Sequence, residues 1–140
     1  MDATDALELI AFGSVAITTL TLVELAVDIT FPQWRVLVVI GPRPDGLTVS
    51  EIADRLGAAL SPTSRLVGRL RSRGLVVTEK DPGDRRITRV RLAERGAELR
   101  ASVFSRRRAR LAMLVDQLGP LDECDTAFLA RIAHVYAQYR

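Results

Sequence analysis

The residues in this chain best suited to chemistry are arginines, and they are clustered. Of the 20 basic residues, 19 are Arg and Lys80 is the single lysine. Ser61 to Arg110 holds 15 of them against 5 acidic residues, a charge of +10. Met1 to Leu60 carries 3 basic and 8 acidic residues (−5), and Leu111 to Arg140 carries 2 and 4 (−2). A field concentrated in this way draws a polyanion to one region and leaves the flanks for other contacts. The planar guanidinium fork suits bidentate contact with phosphate or guanine. Codon bias accounts equally well for the preference for Arg over Lys, but not for the clustering.

Catalytic and metal-ligating sets are thin. His134 is the only histidine and Cys124 the only cysteine. A metal site of ordinary ligand count would have to borrow carboxylates or a second subunit, so neither a metal nor a cofactor is expected. An enzyme needs a convergent nucleophile, base and stabiliser, and none is evident. Cys124 falls near a helix start, where a thiolate is favoured, but Glu123 and Asp125 oppose that effect.

The elements that must position the arginines follow from periodicity and punctuation. At 140 residues, 48% hydrophobic, the chain suits one domain with a real core. Ala3 to roughly Asp28 reads as a long helix with Leu7, Ile10, Ala11, Ser14, Val15, Thr18, Leu22 and Leu25 at helical spacing. Thr30 can cap a helix from Phe31 to Ile40, and Thr48 or Ser50 one that ends on Gly57. Ser61-Pro62 starts another, with serine as the expected cap, closing near Arg73 on Gly74. Leu75–Lys80 and Ile87–Leu92 are β-prone runs around the turn Asp81-Pro82-Gly83-Asp84, a hairpin. A long helix from Ala93 to Leu118 and a last one from Leu121 to Arg140 flank Gly119-Pro120. The uncharged run Leu9–Val23 is 15 residues, short of the ~18–20 needed to span a bilayer. Acidic rather than basic residues precede that run, against a signal peptide, so a soluble cytoplasmic protein is expected.

Two short helices and a turn make a helix-turn-helix candidate. On the second, Thr63, Leu66, Val67 and Leu70 form the inward stripe. The outward face carries Ser61, Arg65, Gly68 and Ser72, with Arg69 at its edge. It is small and cationic, as a helix entering the major groove requires. Arg85 and Arg86 sit at the hairpin tip, and Arg89 and Arg91 line the returning strand. A tip arginine can enter the narrow minor groove beside the helix. Asp84 can aim one of them by pairing with it, or cap the turn. Arg106-Arg107-Arg108 and Arg110 read equally as backbone contacts or as a solvated helix face.

These pieces resemble the MarR (multiple antibiotic resistance regulator) family of winged helix-turn-helix transcription factors. The matching stretches are Gln33-Trp34-Arg35-Val36-Leu37, Thr48-Val49-Ser50-Glu51-Ile52-Ala53 and Ser64-Arg65-Leu66-Val67-Gly68-Arg69-Leu70. Gly74-Leu75-Val76 follows, then the most specific piece, Asp81-Pro82-Gly83-Asp84-Arg85-Arg86, with Val90-Arg91-Leu92 and Gly96 after it. Gly68 stands where the family often has an acidic residue, and Ala93 where it often has threonine. The resemblance implies a mainly α fold with a small β-hairpin wing, homodimeric through its N- and C-terminal helices. It divides one domain, 1–140, into a DNA-binding lobe at about 31–92 and dimerisation helices at about 3–28 and 93–140. Sequence-specific binding to palindromic double-stranded DNA is implied, as a repressor released by a small-molecule or oxidative signal. An architectural DNA binder or a protein-interaction winged helix is the alternative. The expected DNA contacts are Ser61, Ser64, Arg65, Gly68, Arg69, Asp84, Arg85 and Arg86. The family's effector pocket implies Phe31, Trp34 and Arg35 as the seat of an aromatic anion, though Trp34 reads first as plain core.

Overall fold

Four helices begin in the same way, with a side chain at the cap and a reciprocal partner three residues on. In the computed structural model, which describes residues 1–41 and 43–138, these capping boxes are Asp2/Asp5 for α1 (Ala3–Glu24), Thr30/Gln33 for α2 (Phe31–Ile40), Thr48/Glu51 for α3 (Val49–Leu56) and Asp122/Asp125 for α6 (Glu123–Ala137). Each satisfies backbone N–H groups that the first helical turn leaves without partners. The open choice between Thr48 and Ser50 falls to Thr48, whose Oγ1 accepts from the Glu51 N–H at 3.2 Å.

The start of α4 (Leu60–Ser72) departs from expectation. Ala59, not Ser61, stands at its N-cap, without a side-chain cap. Pro62 is therefore the third helical residue, where its missing N–H still costs nothing. Thr63 turns back instead, donating its hydroxyl to the Ala59 carbonyl at 2.9 Å. Gly74, at φ +69, closes α4, with the Leu75 N–H reaching the Leu70 carbonyl at 3.0 Å.

Helix α1 stops at Glu24 rather than near Asp28, because Ala26 takes φ +50 and the Val27 N–H turns back to the Leu22 carbonyl. Counted as a helix, α1 has 22 residues, and by length and composition it is long and apolar enough to cross a membrane. The 15-residue count between charges understates it. Within the protein it packs instead through buried Thr18, Thr21 and Leu22. It also meets cations: Arg107 donates to Ser14 Oγ at 3.3 Å, and Arg106 Nε pairs with Glu24 at 3.3 Å.

The sheet has three strands in the order β1 (Leu47–Thr48), β3 (Thr88–Leu92), β2 (Val76–Lys80), all antiparallel neighbours. The two-residue β1 was not anticipated; it pairs Leu47 with Val90 and Thr48 with Arg89. Val90 is thereby central and fully buried. Around it lie Val36, Leu37, Ile40, Ile52, Leu70, Val76 and Val103, contributed by α2, α3, α4, β2 and α5 (Glu94–Leu118). The chain divides into two compact units, Met1–Arg107 and Arg108–Arg140, with α5 contributing to both. The first contains this core. The second, formed by the end of α5 and by α6, has no buried residue in α6.

Candidate nucleic-acid interface

Burial divides α4 as its periodicity predicts. Thr63, Val67 and Leu70 are buried, while Ser61, Ser64, Arg65, Gly68 and Arg69 are exposed. Arg65 lies along this face, one guanidinium nitrogen 3.4 Å from Ser61 Oγ. A Cβ added at Gly68 would meet nothing within 4 Å, so the smallness of this position is not set by packing within the protein. The face is open, small and cationic, as a groove-facing helix requires.

The wing tip is shaped by two carboxylates. Asp81 Oδ1 accepts from the Gly83 N–H at 2.8 Å and the Asp84 N–H at 3.2 Å. Asp84 Oδ1 accepts from the Arg86 N–H at 2.9 Å and lies 3.5 Å from Arg86 Nε. Asp84 therefore both caps the turn and aims Arg86, the two roles weighed for it. Arg85 and Arg86 remain exposed.

The strand arginines behave differently from the tip arginines. Arg89 Nε is bonded to Asp81 Oδ2, and Arg91 to Glu79. Arg89 also lies 4.0 Å from Glu51, and Asp45 contributes to the negative field around it. The Arg89 hydrogen bond, then the Gly83 and Asp84 amides, hold the Asp81 carboxyl below its ordinary value. Hydrogen bonding to the Thr48 N–H lowers Glu51 likewise, with Arg89 and Arg55 adding to it. Arg89 and Arg91, expected to line the returning strand, do so as members of ion pairs. They are neutralised by Glu79 on β2, Asp81 at the start of the turn and Glu51 on α3. The signal was present in the charge pattern: Glu79 and Asp81 alternate from the end of β2 into the turn, and Arg89 and Arg91 along β3, so the pairs form on diagonals.

Trp34 is 2% exposed and packs on Phe104, ring centroids 5.5 Å apart and tilted by 57°. Arg100 lies over the Phe104 ring, 4.6 Å from its centroid, where burial lowers its guanidinium from the ordinary value. Arg35 points elsewhere, 3.4 Å from the Leu56 carbonyl at the end of α3. Of the expected trio, Trp34 is thus buried in the core, Phe31 is half-buried and Arg35 is exposed. A cleft of about 370 Å³ lies instead among Leu25–Ile29, Arg73, Leu75, Arg95 and Leu99. Arg73 crosses it to Asp28 at 2.9 Å. Among the described residues no group of three or more His, Cys, Asp or Glu side chains could hold a metal ion.

Comparison with known proteins agrees with this geometry. Residues 27–87 match the family model described as MarR family. The structure of a MarR family protein from Bacillus stearothermophilus superposes with a TM-score of 0.80 at 27% identity, covering 96% of this chain and 90% of that one. Residues 27–87 thus carry the MarR-family match, and the wider chain shares that winged-helix fold. A Mycobacterium tuberculosis protein, RV1404, is also similar, at TM-score 0.82 and 28% identity over 96% of this chain and 89% of its own. In sequence, the chain is 36% identical over 72 residues to the HTH-type transcriptional repressor IacR of Pseudomonas putida, 51% of this chain and 42% of that protein. It spans between 42% and 59% of the length of the curated relatives it matches.

Proposed function

We propose that this protein is a homodimeric, sequence-specific double-stranded-DNA-binding transcriptional regulator of the MarR family that represses by occupying a palindromic operator. One observation carries the reading: an exposed cationic helix face, Ser61, Ser64, Arg65, Gly68 and Arg69, lies in the same unit as a wing whose outward cations are Arg85 and Arg86. The helix reads base edges in the major groove, and the wing arginines enter the adjoining minor groove or grip phosphate. Asp84 contributes by aiming Arg86. The repressor name of the Pseudomonas relative supports the direction of regulation.

For release, we propose a small aromatic acid, seated in the cleft around Arg73 and Arg95 rather than at Trp34. Apolar Leu25, Val27, Ile29, Leu75 and Leu99 supply its walls. Such a ligand shifts DNA binding only if it prefers the conformation that does not fit the operator.

Selection from random duplexes followed by a salt titration tests the central claim. A recovered consensus and a steep fall of affinity with salt are expected. Steep salt dependence without sequence preference would make the protein architectural. No salt-dependent binding would make the winged helix a protein-contact module.

A further inference from the structure

Arg89 occupies a junction that neither its exposure nor its charge explains. Its backbone lies opposite Thr48 on one side and Glu79 on the other, in the middle strand of the sheet. Thr48 is the residue that caps α3, and Glu51 completes that cap. The side chain of Arg89 reaches Glu51 at 4.0 Å and is bonded to Asp81, whose other oxygen organises the turn at Gly83 and Asp84. One guanidinium therefore joins the first helix of the helix-turn-helix to the base of the wing loop. It faces three carboxylates, of Asp81, Glu51 and Asp45. A cation so surrounded is a poor phosphate ligand, because its field is more than cancelled locally.

We propose that Arg89 is a positioning residue: it ties the wing turn to the capped start of α3 and thereby holds Arg85 and Arg86 in place for DNA bound against α4. This rests on the proposed duplex-DNA binding. The mechanism is preorganisation. Ion pairs this accessible add little to global stability, but a wing tip ordered before binding does not pay for its ordering when DNA arrives.

The decisive variants are Arg89→Ala and Asp81→Asn. Asparagine keeps an acceptor for the Gly83 and Asp84 amides and suits the turn, while removing the charge that holds Arg89. Both are compared with wild type on a labelled mixed-sequence duplex across a salt series, alongside amide hydrogen exchange of the free protein. A brace predicts roughly three- to tenfold weaker binding for both variants, the scale of ordering one or two side chains. It also predicts an unchanged salt slope for Arg89→Ala and faster exchange at the Gly83 and Ile87 amides. Arg89→Lys should recover part of the loss. The sign for Asp81→Asn is the sharp point, since charge alone makes that variant bind a polyanion more tightly. Tighter binding by Asp81→Asn, or a salt slope reduced by about one ion in Arg89→Ala, would mean that Arg89 is itself a phosphate contact. Unchanged exchange at Gly83 and Ile87 would overturn the brace outright. If wild type binds no duplex at low salt, the regulator reading falls, and the exchange measurement still decides whether Arg89 orders the wing.

Discussion

Gly68 and Gly96 are both helical glycines under different constraints. A Cβ at Gly68 meets open space. The Gly68→Ala variant should therefore gain about 0.5–1 kcal/mol of stability from reduced chain entropy and better helix propensity. If this face of α4 lies against DNA, the same methyl should weaken duplex binding, so stability and affinity move in opposite directions. Chemical denaturation and a binding titration on one preparation check this; equal affinity would place Gly68 outside the contact. At Gly96 a Cβ would sit 1.9 Å from the Leu75 carbonyl oxygen, backbone that cannot swing aside. That carbonyl also accepts the Ala93 N–H at 3.0 Å, so moving it disturbs the start of α5 as well. Gly96→Ala should destabilise by roughly 1–3 kcal/mol despite alanine's helix preference, the usual scale for overpacking. A denaturation midpoint at or above that of wild type would contradict the close approach.

At the scale of elements, what was legible in the sequence was whatever local chemistry specifies. The caps Thr30 and Thr48 sit three positions from their partners and were read as starts of α2 and α3, whereas α6 begins at Glu123, after its Asp122 cap, rather than at Leu121. Gly74 likewise marks the end of α4. Strand β1 was illegible because two residues carry no periodicity; Leu47 and Thr48 form a strand through their pairing with Val90 and Arg89. The roles of Arg89 and Arg91 depend on the same kind of register, and so arginines that read only as lining a strand resolved into pairs with Asp81 and Glu79. Ser61 misled because Ser-Pro is a strong local start signal, and Thr63 offers the Ala59 carbonyl a hydroxyl partner one turn earlier. The wing has a pH signature that follows from its pairs. Asp81 and Glu51 titrate below their ordinary values of 3.8 and 4.5. A depressed carboxyl contributes order that is fully present above its unfolded pKa and lost as pH falls through the folded one. Wing-tip amide exchange, corrected for intrinsic rate, should be flat from neutral pH down to the ordinary carboxylate range and rise only below it. Loosening that begins near neutrality would assign the ordering to other groups.

At the scale of the whole molecule, the unfinished business is apolar surface. Helix α1 leaves Leu9 63%, Phe12 74% and Val23 72% exposed. In the second unit Met113, Leu118 and Phe128 are more than half exposed. A helix of 15 residues with nothing buried, as α6 is, lacks the tertiary packing that ordinarily stabilises one of that length. Exposed apolar residues gathered in this way mark an interface, and a second copy of the chain is the proposed cover. Lipid is the rival cover for α1, given its length and composition. Arg107 near its middle at Ser14 and Arg106 at Glu24 weigh against lipid, because burying guanidinium groups in hydrocarbon is costly. Sedimentation of the 15.4 kDa chain at micromolar concentration should therefore give twice that mass, without detergent or vesicles. The unfolding temperature should rise with protein concentration, since dissociation is linked to unfolding. Phe12→Asp and Phe128→Asp, each adding a charge to an exposed apolar face, should shift the population toward monomer. They should also weaken binding to a palindromic duplex far more than to a single half-site, because only the dimer holds two wings in register. A stable wild-type monomer, or one that partitions into neutral vesicles through α1, would remove the dimer and with it the palindromic operator, while leaving the helix face and the wing of each chain to be tested alone.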